Sequence, residues 1–412
     1  MHSFVVVGGA NSETIIPLQH PLSSGAKHSA DRQVETVGGG GLNQAVRLRM
    51  VGHTVFPVLP IGLGPGGVAC SAALDVEMPD MGPPNHTYDA DTSHATILLS
   101  HEERTIITVD SGVGIKFADE VASRVEKAAR DAADQPAQRA GRPFAILVGH
   151  IRGEKSLEAT KACFAKCSGG SVLRFFFPGS SQYKRCFHQW DDLWDQIHYV
   201  QFELSEARDF VFRSRECEKC RACIKNRQET RLARDAAYRN DWKANAERQQ
   251  AIHMDATSEQ PSLEAILSFF QMANTTAVVT ANRWGAAAVL RNESKLFLVP
   301  PYRIPGVKDP TGAGDAFGAG AASKAMEFST PTPVGRAPGA FTKENFQAVL
   351  NSGSLWGRIA CDEYGGCSHC PTSAEIGHQE TSWPQYRLPG HAGPFSVEES
   401  AWALELMDGS VR

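Results

Sequence analysis

No stretch of eighteen consecutive apolar residues occurs in this chain of 412 residues, so no helical membrane span is expected. Charge of one sign is also lacking. The formal net charge is −5, which gives no global reason to expect nucleic acid as a partner. Aromatics are few, at 8%, and Tyr88 is the only one between positions 57 and 116. The start, MHSFVVVGGANSE, has neither a basic leader nor a long apolar core, so it reads as a first strand and a cytoplasmic chain is expected. No internal repeat is present. No lysine completes a G-x-x-x-x-G-K-[ST] phosphate loop. Ten cysteines are present, and a reducing compartment keeps most of them as thiols.

What is present is an alternation of short apolar runs with longer helical patterns. FVVVGG (4–9), VFPVLPIG (55–62), FAILVGH (144–150), SVLRFFF (171–177), IHYVQF (197–202) and TTAVVT (275–280) read as strands. The two prolines of the second run place it at a sheet edge or make it irregular. Helices are predicted between these runs, at 117–133, 155–167, 204–215 and 262–272. This order implies an α/β fold with a mainly parallel sheet covered on both faces, whose ligands bind beyond the carboxyl ends of the strands. ATILLSHEERTIITV (95–109) reads as a hairpin with a polar tip, with His94 and His101 as exposed residues.

Three glycine-rich loops compete as phosphate sites. GLGPGG (62–67) matches G-x-G-x-x-G formally, but Pro65 removes an amide and no acidic residue closes a second strand, so a turn is preferred. GGGGLNQ (38–44) lets the backbone approach a ligand and sets Asn43 at a helix start, where its paired donor and acceptor suit a polyol. DPTGAGDAFGAG (309–320) places Gly312, Ala313 and Gly314 before a helix predicted from Asp315 to Met326. Helix N-termini hold anions through unpaired amides, and a carboxylate there suits proton abstraction from a hydroxyl. An ordinary carboxylate at a helix start is the competing reading.

DPTGAGDAFGAG resembles the C-terminal signature of the PfkB (ribokinase-like) carbohydrate kinase family, and GGGGLNQAV resembles its N-terminal signature. GGANSE (8–13) resembles the first strand and its substrate-contacting turn, and the 95–109 hairpin part of the β lid. ELSE (203–206), VVTANRWGAAAV (278–289), LNSGSLWGRIACDEYGG (350–366) and PTSAEI (371–376) follow in the family's order. The resemblance implies a Rossmann-like ribokinase fold over residues 1–376 with a small β-sheet lid, from about 14–37 and 86–111. It implies phosphoryl transfer from ATP to a hydroxyl of a small sugar or, alternatively, a nucleoside. Asp315 would be the base, and the amides of Gly312, Ala313 and Gly314 the anion hole. Asn11, Glu13, Gly39, Gly40, Gly41 and Asn43 would bind the acceptor, and Thr280, Asn282, Gly285, Gly312, Gly314 and Asn351 the nucleotide. Glu206 and Glu203 would hold Mg²⁺ through water. Asp309 and Thr311 match positions that bind a monovalent cation such as K⁺ in some members. Lid-mediated homodimers occur in the family.

The chain departs from the pattern at several points. Glu13 stands for the family's Asp, Gly40 for its Lys, Glu203 for its Asn, and Leu63 follows Gly62 where a Gly-Asp pair is usual. Thr280-Ala281-Asn282 replaces a T-x-G turn, which Asn tolerates at positive φ. These changes leave room for an impaired binding or scaffolding relative.

A charged insertion spans 213–260, with eleven Lys/Arg and six Asp/Glu between 213 and 250, and a further extension covers 377–412. The insertion is expected to be a solvated helix rather than a nucleic-acid-binding arm. Cys217, Cys220 and Cys223 would share one helical face, and CSHC (367–370) lies far along the chain. With no two C-x₂-C pairs in one compact module, incidental thiols or reversible disulfides are preferred over Zn²⁺ or an iron–sulfur cluster.

Overall fold

The computed structural model describes residues 1–75, 87–100, 103–139, 141–167, 172–234, 261–293, 296–299, 307–329 and 341–367, with 372, 374 and 376. The hairpin tip His101-Glu102, the insertion beyond 234, most of the 329–340 loop, His369 and Cys370, and the 377–412 extension lie outside these residues.

Fourteen strands are described: β1 (Ser3–Val7), β2 (Asn11–Pro17), β3 (Val34–Gly38), β4 (Thr54–Val58), β5 (Ile61–Gly62), β6 (Thr87–Tyr88), β7 (His94–Ser100), β8 (Glu103–Val109), β9 (Phe144–Val148), β10 (Val172–Phe176), β11 (Tyr199–Glu203), β12 (Ala277–Thr280), β13 (Ala286–Val289) and β14 (Leu296–Val299). Eight of them form one sheet in the order β14-β13-β12-β11-β10-β9-β1-β4. From β4 through β1, β9, β10 and β11 to β12 the strands run parallel; β13 is antiparallel to both of its neighbours, β12 and β14. The apolar runs are continuous because both faces are covered. Val5 and Val7 enter one core while Phe4 and Val6 enter the other, and β9 divides likewise into Ile146 and Val148 against Ala145 and Leu147. Pro57 lies in β4, the edge strand, where its missing N–H costs no ladder bond on the open side.

A second sheet, β3-β2-β7-β8, stands apart from the first. His94 on β7 is half-buried rather than exposed, because its two ring nitrogens lie 3.0 Å from the Ser12 hydroxyl and 3.3 Å from that of Thr14. The GLGPGG run is a tightly packed turn, Leu63-Gly64, between β5 and the helix Pro65–Asp75. A Cβ on Gly62 would fall 2.1 Å from the Ala90 carbonyl oxygen, and one on Gly67 would strike the Gly62 carbonyl.

The signature helix (Ala313–Phe328) packs on the helix Lys343–Ile359 through small residues. A Cβ on Gly320 would sit 2.6 Å from Trp356 Cγ, and one on Gly353 2.8 Å from the Phe317 ring. Close packing therefore sets the start of the signature helix against the rest of the core.

The segment 213–234 is not a solvated arm. It forms the end of the helix Leu204–Glu216 and all of Glu218–Arg234, and Ser214, Arg215, Cys220, Ile224 and Arg231 are buried. Two of its arginines reach other segments of the fold. Arg231 donates to the carbonyls of Gln271 (2.9 Å) and Glu293 (3.3 Å), and Arg227 pairs with Asp191 and Asp195. Long stems cover apolar surface while guanidinium groups find carbonyls and carboxylates, which a charge count alone cannot anticipate. Nor do the three cysteines share a helical face. Cys217 is extended (φ −86, ψ 117) and separates the two helices, while Cys223 turns its thiol to Asp191 at 3.2 Å.

Candidate functional site

The parallel strands end on the residues of interest: Gly8–Asn11 after β1, Gly149–Arg152 after β9, Glu203–Glu206 at β11 and Thr280–Asn282 at β12. Above them lies the start of the signature helix, which opens on Gly312 at φ 75 with no side-chain cap. That positive φ needs glycine, and leaving the N-terminus uncapped leaves a place where an anion is favoured.

Asp315 lies in the first turn of this helix. Its Oδ2 accepts a hydrogen bond from Asn43 Nδ2 at 2.7 Å, and Asn43 Oδ1 in turn accepts from the Cys367 thiol at 3.0 Å. Asn43 belongs to the helix Gly40–Met50 that follows the glycine run. Gly40 makes room for this contact, since a Cβ there would lie 3.0 Å from Asp315 Oδ1. Gly39, at φ 96, brings the run against Gly9 and Ala10. The two signatures thus meet across 272 residues of chain at one carboxylate.

Three groups that sequence reasoning missed hold the loop. Arg47 is fully buried and donates to the Gly312 carbonyl at 3.2 Å; Gln201 Nε2 donates to the Gly314 carbonyl at 2.8 Å. Arg104, on β8 of the small sheet, donates to the Pro310 carbonyl at 2.7 Å and so ties that sheet to the signature loop. Arg104 stood in the polar hairpin run; Arg47 and Gln201 carried only the weak signal of polar residues within apolar patterns. The Ala313 amide is committed to the Pro310 carbonyl at 3.2 Å.

Two carboxyls here are displaced far from their ordinary range. Glu13 is pushed up to about 7, chiefly by burial and then by the negative charges of Asp315 and Asp309, against the opposing pull of Arg104 and a backbone N–H at Gly39. Its Oε2 is buried with no partner among the described residues. Glu206 is also pushed up to about 7, again first by burial, with the charges of Glu203 and Asp315 adding; its Oε2 accepts the Glu203 amide at 3.0 Å. Such displaced carboxyls cluster where charge must be handled. Clustered hard oxygen donors that repel one another suit a divalent cation such as Mg²⁺.

Asp309 is fully buried, its oxygens accepting the amides of Thr311 and Gly365, each at 2.8 Å; the Thr311 hydroxyl beside it is buried without a partner among the described residues. Asn282 adopts φ 49 and Gly285 φ 98 in the turn between β12 and β13, so the Asn-containing turn does form. Thr280 donates to the Phe202 carbonyl at 3.3 Å, and Asn351 accepts from Gln347 at 3.1 Å. Asn11 lines a pocket with Gly9, Ala10, Ser93, His150 and Arg152; Arg152 reaches toward Asn11 Oδ1 and Ser93 Oγ, both at 3.5 Å, and pairs with Asp110.

No protein-family model and no curated protein matches the chain by sequence. Solved structures do match along most of its length. Ribokinase from Giardia lamblia is 15% identical, with 92% of this chain and 98% of that one covered at a TM-score of 0.59. Ribokinase from Cryptococcus neoformans in complex with ADP is 17% identical, with 92% and 100% covered at 0.57. The nucleoside kinase of Burkholderia thailandensis in complex with inosine is 15% identical, with 94% and 100% covered at 0.57. The chain therefore has the ribokinase-like α/β fold, with a large, mainly parallel sheet and a second small sheet.

Proposed function

We propose that this protein is an ATP-dependent carbohydrate kinase that transfers the γ-phosphoryl group to a hydroxyl of a small sugar. The observation that carries this reading is Asp315, held by Asn43 at the uncapped start of the signature helix. Asp315 takes the proton of the acceptor hydroxyl as its oxygen bonds to the γ-phosphorus. The bond from that phosphorus to the β–γ bridging oxygen breaks in line, and ADP leaves. The amides of Gly312 and Gly314 stabilise charge on the moving group, and Ala313 joins them if its bond to Pro310 opens. Arg104 brings a guanidinium from the lid to the edge of this loop. Asn11, Glu13 and the glycine run would position the acceptor, and Thr280, Asn282, Gly285 and Asn351 the nucleotide. Glu206 and Glu203 would hold Mg²⁺, which supplies charge neutralisation to the phosphates when bound; Asp309 and Thr311 are the donors for a monovalent cation.

A plain sugar is favoured over a nucleoside because the stretch 57–116 holds one aromatic, Tyr88, and it packs beneath the Arg124 guanidinium at 4.8 Å; the aromatic that lines the Asn11 pocket is Phe117, from the helix Val113–Ala133. The alternative acceptor is kept because nucleoside kinases share the fold. A homodimer through the lid is part of the reading, since Ile106, Ile107 and Val109 are exposed on β8, a sheet edge. The test is ATP turnover over a panel of pentoses, hexoses and nucleosides, with Asp315→Asn beside the wild type. Turnover is expected with a sugar, and loss of about a thousandfold or more in kcat with ATP binding retained in the variant. Near-normal turnover by Asp315→Asn would remove the assigned base; silence of the wild type with intact ATP binding would favour a binding or scaffolding role.

A further inference from the structure

Away from the proposed active site, four side chains that the phosphoryl transfer does not use converge on one point. Cys186 immediately precedes the short helical turn Phe187–Trp190, and His188 lies within it. Cys217 is the extended residue between the helices Leu204–Glu216 and Glu218–Arg234, and Cys220 sits in the first turn of the second. The three sulfurs and one His188 ring nitrogen all lie within 4.8 Å of one another. His188 Nδ1 is 3.2 Å from Cys220 Sγ and 3.5 Å from Cys217 Sγ, and the His188 amide donates to Cys220 Sγ at 3.2 Å.

We propose that Cys186, His188, Cys217 and Cys220 form a structural Zn²⁺ site. Zinc takes four ligands tetrahedrally, with metal–sulfur bonds of about 2.3 Å and metal–nitrogen bonds of about 2.0 Å, which places ligand atoms about 3.5–3.8 Å apart. The spacing found needs only small side-chain shifts to match. Three soft thiolates and an imidazole are the donor set that selects zinc among common divalent ions. An iron–sulfur cluster fits less well, because its ligands bind different irons and stand farther apart than ligands of one ion.

The order of ligands is C-x-H followed by C-x₂-C, two pairs supplied by two turns. Three thiolates on Zn²⁺ leave one net negative charge. Arg221 stands at the same junction, donating to the Arg215 carbonyl at 2.7 Å. Cys223 is outside the group, bonded to Asp191.

All four coordination positions would come from the protein, so the site is closed and its role is structural rather than catalytic. It clamps the junction of the two helices to the segment 186–190, beside the aromatic core of Trp190, Trp194 and Phe210. The helix whose far end it holds carries Glu206 in its first turn. The clamp does not depend on the kinase reading.

The test is elemental analysis of the full chain purified under reducing conditions without chelator. About one zinc per chain is expected, with Cys186→Ser and Cys220→Ser lowering it about tenfold or more and Cys223→Ser leaving it unchanged. Because a ligand variant can fail to fold, the wild type is also titrated with a mercurial thiol reagent; release of its zinc should follow blocking of the three ligand thiols. Cobalt in place of zinc should give the visible absorption of a tetrahedral thiolate site. Background metal in the wild type, iron in place of zinc, equal zinc in Cys186→Ser, or a disulfide joining two of these cysteines under reducing conditions would each overturn the site.

Discussion

Replacing Glu13 by glutamine removes a carboxyl that the fold strains. Burial and the charges of Asp315 and Asp309 move this group from the ordinary 4.5 to about 7. Between those values the folded protein keeps a proton that the unfolded chain has released. Stability contributed by Glu13 is therefore whole below about pH 4.5 and is lost as pH rises through about 7. At about 1.4 kcal/mol for each pH unit between the two values, the loss across the window is on the order of 3 kcal/mol. Glutamine does not titrate. Its stability relative to wild type should improve by about 2 kcal/mol between about pH 5 and about pH 8. Whatever the amide costs or gains in packing is common to both conditions and drops out of that difference. The displaced Glu206 is present in both proteins and cancels likewise. Urea unfolding of both proteins at the two pH values, followed by fluorescence of the buried Trp190 and Trp194, measures the difference. A pH-independent difference would refute the claim that Glu13 is held protonated by burial and by its acidic neighbours.

Two further substitutions test the loop geometry. Gly40→Ala places a Cβ 3.0 Å from Asp315 Oδ1, and is expected to lower kcat about tenfold with little change in melting temperature; an unchanged kcat would show that Asp315 has room to move. Arg104→Ala removes the link from β8 to the Pro310 carbonyl, and should lower kcat/KM by about tenfold or more while leaving the central sheet's stability unaltered. Steady-state kinetics in which ATP and acceptor are varied separately would assign that loss to one substrate, and an unaltered kcat/KM would exclude a role for Arg104.

Much of the architecture was legible because it rests on local pattern. FVVVGG and FAILVGH are apolar without alternation, as strands covered on both faces must be, and they became β1 and β9. Pro57 marked an edge strand through its missing donor. The GAGD run announced a helix start with a carboxylate in its first turn. Arg227 and Arg231 misled, since their charge counted toward a solvated face, while in the fold they reach carboxylates and carbonyls of other segments. The shared helical face expected of the cysteines failed for a similar reason, because Cys217 lies between two helices and the side chains it meets, Cys186 and His188, come from a distant turn.

The sequence by itself determined the parallel α/β order, the glycines on which the two loops depend, and the placing of Asp315 at a helix start. Each follows from rules acting over a few residues: steric limits on φ, side-chain period and helix-end chemistry. Only the tertiary structure decided that Asn43 grips Asp315. It alone decided that Glu13 and Glu206 are driven up to about 7. Likewise it brought two distant pairs, Cys186 with His188 and Cys217 with Cys220, to one point. Those outcomes depend on burial and on approach between residues far apart in the chain, and both are set by packing rather than by neighbouring sequence.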